Sequence, residues 1–550
     1  MSKAVANDDS TRGAAMPTHS RFESYDEALA AHAWDVPERY NIAEDVCDKH
    51  PPDKLAMLWE DYRGNQREVY WGELQDASSR LASVLRKHDV QVGDRVAMLL
   101  TPRPETAAAF LGAFKAGAIL LSLSVLYGDE GIRHRVTDAQ AKVLVTNAEN
   151  VERVRALDLP VEHVLVLDEE LIAQGDPGFE RVDTRADDPA QLYYTSGTTG
   201  LAKGILHAHR YLLAHNEYEL CHDVQDGERF HGMGEWAWVA GIAPLLGPWR
   251  FGAVQAVYER EGGFDPHRQL AFLSRYEVTN VFGTPTAIRS MMSITDAGTR
   301  YPQRFRIVCA AGEPLNPEAI RWFREQYGVT ILDYYGLSES YPLCSNFPFM
   351  EVREGSMGRP TPGWDVAILD EDEQPVPTGE RGEICMRARS NPHYPLGYWN
   401  NEEAARETFG GEWFHTKDAA RMDEDGYVWY EGRADDVIIA AGYRIGPFEV
   451  ESACLEHPAV AEAAAVASPD ERRGSVVKAF IVLAEGQEPS DELAEGIQQH
   501  VRNRLSAYHY PRRVEFVPSL PKTLTGKIRR IELREAEAEA YHAARAAVDA

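Results

Sequence analysis

The chain has 550 residues, of which 44% are hydrophobic and 26% charged, the composition of an ordinary globular protein. This length exceeds what one compact core accommodates and predicts several structural units. Its 57 Lys and Arg residues against 87 Asp and Glu give a formal net charge of −30, which excludes a general affinity for nucleic acid or for an anionic membrane surface.

The N-terminal residues and the cysteines indicate the compartment. Residues 1–25 are mostly polar, lack the apolar core of a signal peptide and are predicted to form a disordered tail. Six cysteines occur without a C-x-x-C pair or a histidine at ligand spacing: Cys47, Cys221, Cys309, Cys344, Cys385 and Cys454. This pattern argues against a disulfide scaffold and against a zinc site, and it favours a reducing, cytoplasmic location.

Strands and helices alternate from about residue 95. Residues 95–100 and 118–124 are predicted to be buried strands, residues 104–117 a helix, and residues 129–140 and 142–147 the next helix and strand. Such alternation predicts a parallel sheet with helices on both faces.

One apolar stretch, from Phe110 to Tyr127, is about as long as the shortest membrane span. Lys115 and two glycines interrupt it, so we predict a buried helix that runs into a buried strand, and no membrane insertion.

The second half of the chain changes character twice. A further strand-helix-strand unit covers residues 278–336, short strands and turns follow over residues 355–432, and a compact α+β pattern begins after GRADD. The sequence therefore predicts an α/β fold. A large N-terminal domain (26–432) has parallel α/β subdomains and a β-rich subdomain, a hinge follows at 433–436, and a small mobile α+β domain occupies 437–550.

The segment YYTSGTTGLAKG, Tyr193 to Gly204, combines glycines, hydroxyl residues and one lysine. Glycine lets backbone N–H groups approach a ligand, hydroxyls add hydrogen bonds and a lysine neutralises charge, so the segment favours a polyphosphate ligand. It is not a Walker loop, because Lys203 is preceded by Ala202 and followed by Gly204. An ordinary surface lysine after a turn is the alternative interpretation of Lys203.

Six segments in this order resemble the signature motifs of the adenylate-forming (AMP-binding) family, and especially its acetyl- and medium-chain acyl-CoA synthetases. They are YYTSGTTGLAKG, AAGEPLNPE, DYYGLSES, HTKDAARMDEDGYVWYEGRADD, AAGYRIGPFEVE and LPKTLTGKIRR. The resemblance implies a two-step ligase: a carboxylate attacks the α-phosphate of ATP and releases pyrophosphate, and the thiol of CoA then captures the acyl-adenylate. It also implies a requirement for Mg²⁺.

The resemblance assigns nucleotide contacts residue by residue. Lys527 would bridge the attacking carboxylate and the α-phosphate, Glu339 would hold Mg²⁺, and Asp418 with Arg433 would bind the ribose; Glu339 as a helix N-terminal acid is the alternative. Lys527, Glu339 and Thr195 are the predicted catalytic residues. The predicted ATP-binding residues are Thr195, Ser196, Gly197, Thr198, Thr199, Gly200, Lys203, Gly312, Glu313, Pro314, Asp333, Tyr334, Tyr335, Gly336, Ser338, Asp418, Arg433 and Lys527.

The same resemblance implies a hinge at Asp435, a CoA site at Gly442, Tyr443 and Arg444, and an acyl pocket formed by Trp236, Val239, Gly336 and Leu337. Tyr335 would stack on the adenine. Acetate-specific relatives carry a tryptophan at the position of Gly336, so an open pocket is expected here, for medium-chain, branched or aromatic acids. The sequence departs from the family at Lys417, where relatives usually carry glycine, and at Ile439, where they often carry a polar or basic residue.

Two other functions stay open at this point. One is a stand-alone adenylating enzyme that loads an acyl or aryl acid onto a carrier protein. The other is a non-catalytic nucleotide-binding regulatory protein, which the joint presence of Lys203, Glu339, Asp418 and Lys527 disfavours. A homodimer is compatible with the sequence, although nothing in it requires one.

Overall fold

The computed structural model describes residues 21–195, 202–433, 436, 438–440, 443–470, 474–505, 509–523 and 526–548. Residues 1–20 of the predicted tail lie outside this range. Tyr25, the last residue of that predicted tail, begins the first helix and is buried, so the boundary expected at residue 25 is placed too far along the chain.

The first half of the large domain alternates helices and strands as predicted. Its elements are α1 (Tyr25–Ala31), β1 (Leu55–Asp61), β2 (Gln66–Tyr70), α2 (Trp71–Lys87), β3 (Arg95–Leu99), α3 (Pro104–Lys115), β4 (Ile119–Leu123), α4 (Asp129–Asp138), β5 (Val143–Thr146), α5 (Val151–Ala156), β6 (His163–Val166), α6 (Glu169–Ala173) and β7 (Pro189–Thr195).

The alternation continues to about residue 345. The elements here are β8 (Lys203–Ala208), α7 (Glu217–Leu220), β9 (Arg229–Gly232), α8 (Val239–Trp249), β10 (Val254–Glu259), α9 (Pro266–Arg275), β11 (Asn280–Gly283), α10 (Pro285–Met292), α11 (Ala297–Arg300), β12 (Ile307–Ala311), α12 (Pro317–Tyr327), β13 (Ile331–Leu337) and β14 (Ser340–Ser345).

Shorter strands follow, and then the small domain. The β-rich part contains β15 (Arg359–Pro360), β16 (Val366–Leu369), β17 (Arg381–Arg387), β18 (Gly397–Tyr398), α13 (Glu402–Phe409), β19 (Trp413–Met422) and β20 (Val428–Arg433). The small domain contains β21 (Ile438–Ala440), β22 (Tyr443–Ile445), α14 (Pro447–Leu455), β23 (Val460–Asp470), β24 (Gly474–Leu483), α15 (Asp491–Arg504), β25 (Arg513–Phe516) and α16 (Arg530–Val548).

Two large sheets form the body of the protein. One has the strand order β18-β8-β7-β4-β3-β5-β6, and the other has the order β15-β14-β13-β12-β11-β9-β10-β1-β2. The strands at the centre of each sheet pair in parallel, which confirms the predicted α/β class. Because ligands in such sheets collect beyond the carboxyl ends of the strands, both sheets can contribute to one site.

A four-stranded antiparallel sheet, β16-β17-β19-β20, confirms the predicted β-rich subdomain. The small domain follows it with the hairpin β21-β22 and the sheet β23-β24-β25. Strand β20 ends at Arg433, the first residue of the predicted hinge.

The stretch tested for membrane insertion lies inside the protein. Helix α3 has Pro104 at its first turn, and Gly117 with φ +66° follows its end. The interrupting Lys115 is buried and forms an ion pair with Asp48 at 2.7 Å. Among the described residues, no helix combines the length and apolarity that crossing a bilayer requires.

Several histidines are buried in the large domain. Burial lowers the pKa of His207, His209 and His222 to about 3, so these imidazoles are neutral at pH 7. His209 accepts a hydrogen bond from the Ile42 backbone N–H at 3.3 Å through Nδ1, and it stands outside the predicted site.

We predict that His209→Gln makes stability less sensitive to acid. The folded pKa lies below the unfolded value of about 6.5, so the unfolded chain binds a proton that the folded chain does not. Relative to the variant, the wild type should therefore lose about 1.4 kcal/mol of unfolding free energy per pH unit as the pH falls from about 6 to about 4. Urea unfolding across this range measures the difference. Equal slopes would contradict the prediction, and exposed His163→Gln is the control.

Candidate active site

The predicted phosphate-binding segment connects two paired strands. Strands β7 and β8 pair antiparallel, with Thr195 and Lys203 as Cα partners, so the loop between them leaves and re-enters the sheet at one point. The loop residues Ser196, Gly197, Thr198, Thr199 and Gly200 lie outside the described part of the chain.

Lys203 lies near the predicted metal ligand. Its Nζ is 5.5 Å from the centroid of the Tyr398 ring, and the Tyr398 hydroxyl donates a hydrogen bond to Glu339 Oε1 at 3.1 Å. Tyr398 thus connects the exit of the phosphate loop with Glu339. No motif in the sequence indicates this tyrosine, because it lies 59 residues from Glu339.

Glu339 lies among positive charges. Burial raises its pKa, while the Tyr398 hydrogen bond and the charges of Lys527 and Arg433 act in the opposite direction. A half-buried carboxylate of this kind, next to substrate phosphate oxygens, fits the ligands that Mg²⁺ prefers.

The predicted ribose-binding residues, Asp418 and Arg433, lie beside Tyr335, which is predicted to stack on the adenine. Tyr335 on β13 donates a hydrogen bond from its hydroxyl to Asp418 Oδ2 at 2.6 Å. Arg433 Nη1 lies 3.7 Å from Asp418 Oδ1, and the two residues are Cα partners between β19 and β20. Asp418 is therefore a buried, oriented acceptor at the end of the β-rich sheet.

Lys417 is directed away from this site. Its side chain is exposed, its φ of +62° is left-handed, and its backbone N–H donates to Glu383 Oε1 at 2.6 Å. Glycine adopts this backbone conformation without strain, which explains the family preference at this position. The cation therefore points to solvent and leaves the ribose acid clear.

Lys527 lies in a turn of the small domain that rests on the large domain. Its backbone N–H donates to Thr523 Oγ1 at 3.1 Å. A Cβ at the preceding Gly526 would lie 3.3 Å from Cγ2 of Thr286. Thr286 in turn donates to Glu313 Oε2 at 2.7 Å, so the turn that carries Lys527 lies near the predicted adenine-edge motif.

That motif is held in place by large-domain contacts. Gly312 has φ +93°, which a glycine tolerates, and Glu313 Oε2 also accepts a hydrogen bond from Arg289 at 2.9 Å. Pro314 and Ser338 are half-buried beside it. The backbone carbonyl of Ser338 is 2.9 Å from His207 Nε2.

The nucleotide prediction requires one correction on β13. Tyr334 is 1% exposed and packs in the core against Phe282, with ring centroids 5.9 Å apart. Its side chain therefore cannot touch a ligand, and only its backbone remains available. Its neighbour Asp333 is buried, and burial holds the pKa of that carboxyl well above its usual range.

The predicted acyl-pocket residues do not form one wall. Trp236 and Val239 belong to the core of the large domain, whereas Leu337 packs on the β-rich subdomain. Trp236 does line a cavity of about 130 Å³ between the two large sheets. Other residues that line it include Leu100, Leu126, Glu235, Tyr258 and Arg260.

Gly336 does not open a free space, contrary to expectation. A Cβ at this position would lie 2.4 Å from Cδ2 of Tyr341 and 3.0 Å from the Ser340 carbonyl oxygen. The buried Tyr341 ring therefore occupies the space that a larger residue at 336 would need. Sequence reasoning missed Tyr341, because the contact depends on how β13 turns into β14.

We predict that Gly336→Ala destabilises the protein by about 1–3 kcal/mol, since the added methyl group overpacks against the Tyr341 ring. Thermal unfolding measures the loss. Gly128→Ala is the matched control, because Gly128 has φ −64° and no atom within 4 Å of its Cβ position. Two equally stable variants would contradict the prediction.

The structure describes only some of the residues predicted to form the hinge and the CoA site. Asp435 and Gly442 lie outside the described residues, while Tyr443 and Arg444 belong to β22. Asp436 forms ion pairs with Arg530 and Arg534 of the small domain, and Arg530 also binds Glu451 at 2.6 Å. Asn316 of the large domain donates to Ser452 of α14 at 3.0 Å.

Comparisons with known proteins agree with this geometry. The AMP-binding enzyme family matches residues 43–399, and the AMP-binding enzyme C-terminal domain matches residues 449–527. Acetyl-coenzyme A synthetase of Bacillus subtilis is 35% identical over 522 residues, which cover 90% of each protein. The mitochondrial acyl-coenzyme A synthetase ACSM3 of Mus musculus is 34% identical and covers 94% of each.

A solved structure shares the architecture. The anthranilate CoA ligase AuaEII, determined with anthranoyl-AMP, superimposes with a TM-score of 0.85 at 30% identity, covering 92% of this chain and 99% of that one. The two family models thus match the large and the small domain of the chain, in the order that the sequence motifs predict. The chain belongs to the AMP-binding enzyme family, and its relatives place it among the AMP-forming acid–thiol ligases, as an acyl-CoA synthetase.

Proposed function

We propose that the protein activates a carboxylic acid larger than acetate, of the medium-chain, branched or aromatic class, as an acyl-adenylate and transfers the acyl group to CoA. One observation carries the proposal. Glu339 faces the charges of both Lys527 and Arg433, while Arg433 lies beside Asp418, which accepts the Tyr335 hydroxyl. Residues far apart in the chain thus assemble the groups that adenylation needs.

The proposed first step uses these groups as follows. Asp418 accepts hydrogen bonds from the ribose hydroxyls, and Lys203 and Thr195 hold the terminal phosphates at the loop between β7 and β8. The ammonium of Lys527 neutralises the charge that builds between the acid carboxylate and the α-phosphate. Mg²⁺, bound through Glu339, would neutralise the phosphate oxygens and assist the departure of pyrophosphate.

The second step places CoA on the other side of the adenylate. Since Lys527 rests on the large domain through Gly526, the turn must withdraw before a thiol can take its place. Asp436 is the last residue of the predicted hinge, and ion pairs bind it to α16. This end of the hinge therefore moves together with the small domain. We therefore propose rotation about Asp435 between the two half-reactions.

The acid is proposed to lie between Trp236 and the β13–β14 turn. The cavity that Trp236 lines supports a position for the acyl chain, while the Tyr341 ring occupies the space beside Gly336. In this proposal Tyr341 limits the pocket at the point where Gly336 was expected to leave it open.

The test is acid-dependent exchange of labelled pyrophosphate into ATP, run over acids of increasing size. Exchange with medium-chain or aromatic acids, and thioester formation only when CoA is added, is the expected result. Exchange that is fastest with acetate would contradict the proposed acid class. Activated acid that transfers only to a carrier protein would contradict the role of CoA.

A further inference from the structure

The β-rich subdomain brings together a group of side chains that the sequence keeps apart. Glu383 and Cys385 lie two residues apart on β17, at an irregularity in its pairing with β19, and His415 on β19 is the Cα partner of Cys385. The spacing of cysteines and histidines along the chain argued against such a site. Antiparallel pairing joins residues that are 30 positions apart.

The distances among these side chains suit a metal ion. Cys385 Sγ lies 3.4 Å from His415 Nδ1, and His415 Nδ1 lies 3.0 Å from Glu383 Oε2. The three ligand atoms all lie within 4.8 Å of one another. Tetrahedral Zn²⁺, with bonds of about 2.0–2.3 Å, places its ligand atoms roughly 3.4–3.6 Å apart, so only small shifts are needed.

A second carboxylate orients the histidine. Glu373 Oε1 lies 3.3 Å from His415 Nε2, on the opposite edge of the imidazole from Cys385 and Glu383. Metal-binding histidines usually donate their other ring N–H to a carboxylate, which directs the free nitrogen lone pair at the metal. This contact involves none of the three ligand atoms. It favours the tautomer of His415 that carries its proton on Nε2 and leaves the Nδ1 lone pair for a metal.

The site is also accessible. The side chains of His415 and Glu383 are 36% and 28% exposed, while Cys385 is buried beneath them. A cation can therefore enter from solvent, with water completing the fourth position. A thiolate, an imidazole and one carboxylate favour a borderline-soft ion over Mg²⁺ or Ca²⁺, which prefer oxygen ligands.

We propose that Glu383, Cys385 and His415 bind one Zn²⁺ ion, with Glu373 as a positioning residue for His415. As the zinc–sulfur bond forms, the S–H bond of Cys385 breaks and its proton passes to solvent. The site uses none of the residues assigned to the nucleotide or to the Mg²⁺ that the proposed reaction needs. The alternative is a hydrogen-bonded, ion-paired cluster that binds no metal.

The test is a titration of the chelator-treated full-length protein with Co²⁺, without nucleotide or acid. We expect one equivalent to give the thiolate-to-cobalt charge-transfer band and tetrahedral visible bands, and one equivalent of Zn²⁺ to abolish both. Because no substrate is present, failure of this test is distinct from failure of the proposed function.

Variants locate the site. Cys385→Ser should abolish the charge-transfer band, whereas Cys344→Ser, which removes another buried cysteine, should leave it unchanged. Glu373→Gln should weaken Co²⁺ binding about 10–100-fold without loss of the band. Circular dichroism checks that each variant is folded.

Two results would overturn the proposal: no thiolate band in the wild-type protein, or equal loss of the band in Cys344→Ser and Cys385→Ser. Should Cys385→Ser fail to fold, the wild-type protein still decides the matter through its thermal unfolding. Zn²⁺ should raise the unfolding temperature, while the same concentration of Mg²⁺ should not. Equal effects of the two ions would count against the site.

Discussion

Lys527→Ala should reduce acid-dependent pyrophosphate exchange about 100–1,000-fold, as expected when one charged donor to a developing transition-state charge is removed. The loss should appear mainly in kcat, because Lys527 is exposed and gains its phosphate partner only when the substrates are bound. Thioester formation from a supplied acyl-adenylate and CoA should change far less, since in the proposed rotation the turn that carries Lys527 withdraws before that step.

The small domain offers a matched control for this variant. Lys522 lies at the start of the same turn and forms an ion pair with Glu462 instead of facing the cleft. Lys522→Ala should therefore retain exchange activity. If Lys522→Ala and Lys527→Ala lost exchange equally, general disturbance of the turn would explain the effect. Equal loss of both half-reactions in Lys527→Ala would contradict its assignment to adenylation alone.

Asp418→Asn should raise the KM for ATP by roughly two orders of magnitude. Hydrogen bonds to a charged group contribute about 1.5–3 kcal/mol each, and the proposed ribose contact has two of them. The amide keeps the size of the carboxylate but loses its charge and places an N–H group toward the Tyr335 hydroxyl and Arg433. Initial-rate kinetics of exchange against ATP concentration measure the shift.

Two features distinguish the expected effect of Asp418→Asn from that of Lys527→Ala. The adenylate keeps its ribose through both steps, so Asp418→Asn should weaken both half-reactions, unlike Lys527→Ala. Asp425→Asn removes an exposed acid from the turn between β19 and β20, where it pairs with Arg353, and is the control. An unchanged KM for ATP in Asp418→Asn would mean that the nucleotide sugar lies elsewhere.

The small domain contributes to the site through its position against the large domain. The charge of Lys527 acts against the burial that raises the pKa of Glu339, and a Cβ at Gly526 would lie 3.3 Å from Thr286 Cγ2. The hydrogen bond from Asn316 of the large domain to Ser452 of α14 must break if the small domain rotates.

The sequence by itself determined the class of the protein and most of its chemical groups. Alternating apolar segments predicted α3, β4 and the parallel sheets, because local periodicity reflects burial directly. The ordered motifs predicted Glu339, Asp418, Arg433 and Lys527 as site residues, and in the structure Arg433 lies beside Asp418 while the charges of Lys527 and Arg433 act on Glu339. Such motifs are short, and the chemistry restricts which residue types they contain.

Only the tertiary structure decided the contacts between distant segments. Tyr341 fills the space beside Gly336, Tyr398 binds Glu339, and the core takes the Tyr334 side chain away from the nucleotide. Strand pairing likewise joins Cys385 to His415. These outcomes depend on strand register and on which way each side chain points, and neither property has a local signature in the order of residues.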